Sequence, residues 1–151
     1  MPYDNRNRHY GRGHHGREQA PRLDENLVKF YDEKNETRIE LFDTNAKEIA
    51  EIFSKAKKEV NSYTQLRRFY DEVVDLQERI EENPSLFTQL LPLIKMLNAK
   101  AAYAKGRVKV DDNFVLFIEK SLVQIKTARD FYVFKTLFEA VMGFYKSKRS
   151  K

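Results

Sequence analysis

Apolar residues recur along most of this chain at three- and four-residue intervals, the spacing that gathers side chains on one face of an α-helix. Ala46, Ile49, Phe53, Ala56 and Val60 predict a first helix over about 45–60, opened by the good N-cap residues Asp43, Thr44 and Asn45. Leu66, Phe69, Val73, Leu76 and Ile80 predict a second, from Ser62 to about Glu82, with Ser62 and Gln65 spaced as a capping box. Its outer face alternates in sign: Arg67 with Asp71, Arg68 with Glu72 and Asp75 with Arg79 are spaced as i,i+4 ion pairs. Leu90, Ile94, Leu97, Ala101 and Ala104 predict a third helix over about 85–105, with Pro92 inside it and Gly106 at its end.

Asp111 or Asp112 caps a fourth helix running to about Thr127, with Phe114, Ile118, Leu122 and Ile125 turned inward. After a turn or bend at Ala128–Asp130, a last helix over about 130–147 aligns Phe131, Phe134, Phe138, Val141 and Tyr145. Eleven of the fifteen residues from 131 to 145 are apolar, so this helix must be buried on most sides. Part of that burial is expected from a second copy of the chain, through Phe131, Leu137, Met142 and Phe144. Upstream, apolar islands at Leu27–Tyr31 and Ile39–Phe42 suggest a short helix or strap lying over the domain, while residues 1–22 show no period and almost no aliphatic side chains. The expected architecture is all-α: a compact bundle of about five helices over 44–148, preceded at 1–43 by a disordered basic arm and an acidic linker or strap.

Charge sharpens this picture. The net +5 divides into +3 for residues 1–22, −4 for 23–43 and +6 for 44–151. From Pro84 to Val110 there are five bases (Lys95, Lys100, Lys105, Arg107 and Lys109) and no Asp or Glu, although 34% of all residues are charged. A core helix that is also acid-free points to a polyanionic partner. Arg107 stands out, because it sits on the connector after the third helix; capping of that helix's last carbonyls is its alternative role. Lys57, Lys58, Lys126 and Arg129 join the candidate nucleic-acid contacts on charge alone, and the closing KSKRSK reads as a solvated fringe.

Composition excludes much chemistry. There is no cysteine, hence no disulfide, thiolate metal site or thiol nucleophile, in keeping with a cytoplasmic location. The three histidines all fall in the arm, leaving the folded part without an imidazole base or ligand. Glycines are too scattered for a phosphate-cradling loop, and no apolar run is long enough for a membrane span. A helix-turn-helix reading fails because the fourth helix would offer Val115, Leu116, Glu119 and Val123 to the bases. No catalytic residue, metal or cofactor is expected, and an enzyme is not.

Two stretches carry a resemblance. QLRRFYDEV at 65–73 is followed by LPLIKMLNAKAAYAKGR at 91–107, and later by Phe117-Ile118-Glu119 and by Asp130-Phe131 through Phe138-Glu139-Ala140-Val141. This order resembles the small subunit of type III-A (Csm) CRISPR effector complexes over about residues 62–147. The resemblance implies a non-catalytic helical-bundle protein that lines up in several copies within a ribonucleoprotein, beside other Csm subunits, and supports crRNA and its paired target RNA. It places Arg67, Arg68, Lys95, Lys100, Lys105, Arg107 and Lys109 within matching motifs. A different class of function stays open: a self-associating adaptor whose basic face meets acidic proteins rather than nucleic acid.

Overall fold

The computed structural model describes residues 21–149, so the basic arm and histidines expected before Pro21 lie outside the described residues. Among the described residues six α-helices follow one another: α1 (Ala46–Ser54), α2 (Tyr63–Glu82), α3 (Phe87–Lys95), α4 (Leu97–Gly106), α5 (Asp112–Leu122) and α6 (Ala128–Lys146). Segments α3 and α4 together occupy the predicted third helix, so the all-α bundle of about five helices holds. Pro92 is tolerated on the exposed side of α3, and the break falls at Met96, whose amide still donates to the Pro92 carbonyl at 3.0 Å. Among the described residues the only extended pairing is one isolated antiparallel bridge, Tyr31 with Thr37.

Capping chemistry sets the helix starts. Ser62 Oγ accepts from the Gln65 amide at 3.1 Å, and Asp111 Oδ1 accepts from the Phe114 amide at 3.0 Å. Helix α6 begins two residues before its expected start because Thr127 and Asp130 form a reciprocal capping box. Asp130 Oδ2 takes the amides of Lys126 and Thr127 at 2.9 Å each, while Oδ1 takes the Tyr31 hydroxyl at 2.6 Å. Burial pushes this carboxyl's pKa up, but those donated hydrogen bonds outweigh it and hold the value below the ordinary 3.8.

Helix α6 is the axis of the molecule, packed against both α1 and α2. Phe117 and Phe138 meet edge-on with ring centroids 5.3 Å apart, Phe53 meets Phe117 at 5.5 Å, and Phe69 meets Phe114 at 4.9 Å. Such pairs add ~0.5–1.5 kcal/mol each to what area burial alone provides. Phe131, Leu137 and Met142 are buried within this same core and Phe144 is half-buried against it. The first three are therefore spent inside their own chain rather than offered to a second copy. The reason is that α1, α2 and the upstream strap surround α6 and cover the faces that periodicity left without a partner.

The strap at 23–43 is more than a layer over a domain that starts at 44. Leu23, Val28, Phe30 and Leu41 belong to the one buried cluster. Amide side chains stitch it down: Asn113 Oδ1 accepts from the Leu23 amide at 2.8 Å, and Gln124 accepts from the Phe30 amide at 3.0 Å while donating to the Val28 carbonyl at 2.7 Å. Each of these contacts joins residues 90 or more positions apart.

The first helix stops at Ser54, well short of the predicted 60, and the segment after it turns through left-handed backbone at Glu59 and Asn61 (φ 74° and 55°). Asn61 is fully buried and fully partnered. Its amide donates to the Lys109 carbonyl at 3.0 Å, its Nδ2 to the Phe53 carbonyl at 3.3 Å, and its Oδ1 accepts from the Asp111 amide at 3.0 Å. Its carbonyl accepts from the hydroxyl of Tyr145, whose pKa burial raises to about 12. Arg149, expected as part of a solvated fringe, instead closes α1: its guanidinium donates to the Ser54 carbonyl at 3.1 Å and to those of Ala56 and Val60.

Asn61→Ala leaves the Phe53 carbonyl and Asp111 amide without partners and places a less tolerant residue in the left-handed region. It is expected to lower stability by about 3 kcal/mol in urea unfolding. Asp130→Asn is expected to cost about 1–2 kcal/mol at neutral pH. Because Asp130's folded pKa is depressed, its stabilisation is present above pH 3.8 and lost as pH falls through the folded value. The gap between wild type and Asp130→Asn should therefore close on acidification; a gap constant down to pH 2.5 would contradict the assignment.

Candidate nucleic-acid interface

The eleven basic residues singled out in the sequence separate into engaged and free groups. Lys95 reaches across to the Leu122 carbonyl at the end of α5, and burial together with nearby Lys126 pulls its pKa down. Lys100 is paired with Glu72 and Lys105 with Asp112. Arg67 is paired with Asp71 at 2.9 Å and also donates to the Tyr63 hydroxyl at 3.2 Å. Arg129 donates to the Asn35 carbonyl at 3.0 Å and lies over the Tyr31 ring at 4.5 Å, holding the strap's hairpin. Lys57 and Lys58 are exposed in the α1–α2 connection, and Lys126 is exposed just before α6.

The remaining three converge. Arg68, Arg107 and Lys109 line one groove of about 500 Å³ together with Ser62, Thr64, Gln65, Tyr103 and Ala104. One wall is the first turn of α2, which adds the positive end of that helix's dipole. The other wall is the last turn of α4 and the connector to α5. Among the described residues no carboxylate lines the groove. Arg68 was expected to pair with Glu72 four residues on. Glu72 takes Lys100 instead, and among the described residues Arg68 has no ion-pair partner. The tertiary approach of α4 to α2 thus frees one cation by occupying the acid that would have neutralised it.

Tyr103 is the member of this groove that sequence reasoning passed over. The residue is 68% exposed, and the Arg107 guanidinium lies 5.8 Å from its ring centroid. The available signal was its position off the Leu97–Ala101–Ala104 stripe, four residues before Arg107, where the helix repeat brings the two side chains together.

The connector has a defined geometry. Gly106 ends α4 as expected, and the left-handed residue is Val108, two positions further on, at φ 58°. The Lys109 amide bonds to the Ala104 carbonyl at 2.9 Å and the Val108 amide to the Lys105 carbonyl at 2.8 Å, the double closure of a Schellman motif. A β-branched side chain in the left-handed region is strained. The reversal at Val108 brings both of its basic neighbours to the groove while its own side chain stays outside it, 69% exposed.

A family model described as Csm2 Type III-A matches residues 36–151. No curated protein and no solved structure matches the chain. No helix among the described residues is long and apolar enough to cross a membrane.

Val108→Gly relieves the strained backbone and loses little burial. The net gain, after allowing for glycine's greater freedom when unfolded, is expected to be about 0.5–1 kcal/mol by urea or thermal unfolding. A loss of stability would show that the Val108 side chain makes a compensating contact.

Proposed function

The chain belongs to the Csm2 Type III-A family and is a subunit of a Csm complex, and we propose that it is the complex's non-catalytic small subunit, holding RNA by sequence-independent contacts. The observation that carries this reading is the convergence of Arg68, Arg107 and Lys109 on one groove with no carboxylate in its lining among the described residues. Guanidinium and ammonium groups gathered in this way neutralise phosphates without reading base edges, which suits a subunit that must accept any guide and any target. On this reading crRNA and target RNA are the polyanions, several copies stand side by side among other Csm subunits, and the complex works in the cytoplasm. Lys57, Lys58 and Lys126 are exposed and provide secondary phosphate contacts. Lys95, Lys100, Lys105, Arg67 and Arg129 act mainly within the fold, through the partners described above.

The alternative, an adaptor that self-associates through α6, binds acidic proteins and never touches nucleic acid, is the less supported reading, because Phe131, Leu137 and Met142 are buried in their own chain. Copies that stand side by side do so through other surfaces on this reading.

The test is RNA binding by the full chain, followed by anisotropy at several salt concentrations. Arg68→Glu, Arg107→Glu and Lys109→Glu together are expected to remove about three phosphate contacts and so to lower the magnitude of the single-strand salt slope by ~2. Reversal of Lys100 and Lys105, already paired with acids, is expected to change that slope less. If the triple reversal leaves both affinity and slope as in wild type, RNA is not held in this groove.

A further inference from the structure

We propose that the groove takes one unpaired nucleotide of a single-stranded RNA, its base stacked on Tyr103 and its flanking phosphates held by Arg68, Arg107 and Lys109. This rests on the RNA contact proposed above and goes beyond it by specifying strandedness: phosphate contacts alone would serve a duplex equally well.

Three cation–aromatic pairs occur among the described residues, and only one is open. The Tyr31 ring under Arg129 has its hydroxyl tied to Asp130 at 2.6 Å. The Tyr63 ring near Lys146 is half-buried, and its hydroxyl accepts from Arg67 at 3.2 Å. Neither side chain of the Tyr103–Arg107 pair has another hydrogen-bond partner among the described residues, and both line the groove. Arg107 steadies the ring by its attraction to the π-face. A steadied, exposed aromatic surrounded by cations is the arrangement on which unpaired bases stack, because every base has a π-face whatever its identity. An A-form duplex keeps its bases stacked inside and presents phosphates and ribose, so it could reach the three cations but not the ring. A volume of about 500 Å³ falls within the range that holds a small organic ligand such as a nucleotide. The first turn of α2 supplies Thr64 and Gln65 as uncharged polar neighbours of the bound group.

The chain contains no tryptophan, so Tyr103→Trp installs a single fluorescent reporter at the stacking position. The full-length variant is titrated at low salt with a short oligo(U) strand and with a blunt RNA duplex of matched length. Binding is followed in parallel by the anisotropy of end-labelled RNA. The expected result is saturable quenching by oligo(U) and little by duplex. In addition, Tyr103→Ala should weaken oligo(U) binding about tenfold or more, while Tyr103→Phe remains close to wild type. Binding of oligo(U) without quenching, or equal quenching by the duplex, overturns the stacking site and leaves the phosphate-binding reading intact. Absence of any anisotropy change with either RNA overturns both.

Discussion

The fold turns on one buried asparagine. Asn61 ties the end of α1, through the Phe53 carbonyl, to the α4–α5 connector, through Lys109 and Asp111, and to the last turns of α6, through Tyr145. These segments are far apart in sequence and none would find the others by helix periodicity. The left-handed backbone at Asn61 lets the chain reverse immediately before Ser62 caps α2. Asparagine suits the position because it tolerates that conformation and carries both a donor and an acceptor. Asn61 therefore fixes the first turn of α2 beside the end of α4, and those two walls are the groove. The site's geometry is a consequence of a hydrogen-bonded core junction and not of the surface residues that line it.

Acid placement decides which cations are available. Lys100 and Lys105 come from the same acid-free run as Arg107 and Lys109, yet tertiary contact with Glu72 and Asp112 engages them. Surface pairs of this kind contribute little to stability, ~0–1 kcal/mol. Their consequence here is distributional: positive charge is drawn down along the flanks and left uncompensated at the connector. Lys95, pulled onto the Leu122 carbonyl, serves the packing of α3 against the end of α5. An unbroken basic stretch in the sequence becomes a small, bounded basic site in the fold.

Much of the architecture was legible beforehand, because helical burial repeats every three to four residues and each predicted stripe in α2, α5 and α6 is buried. What escaped has a shared physical cause. The early end of α1, the capture of the strap by Asn113 and Gln124, and the role of Arg149 all involve a few long-range hydrogen bonds. Such bonds leave no periodic trace. The surplus apolar surface of α6 was visible, but whether strap or second copy covers it is a question of topology. For the site, Arg68, Arg107 and Lys109 were among the candidates, though nothing local distinguished them from the eight that lie elsewhere or are engaged; Tyr103 lay off the buried stripe, but its place in a groove depends on the approach of α2.

By itself the sequence determined the all-α class, the helix faces, the start of α2, the lack of thiol chemistry and the concentration of positive charge after Pro84. These follow from composition and from the 3.6-residue repeat, which act within a turn or two of chain. Only the tertiary structure decided that Glu72 goes to Lys100 rather than Arg68, that Val108 and not Gly106 turns the chain, and that the acid-free run ends in a groove faced by α2. Each of these depends on which distant group arrives first at hydrogen-bonding distance, and that is set by how the helices pack around α6.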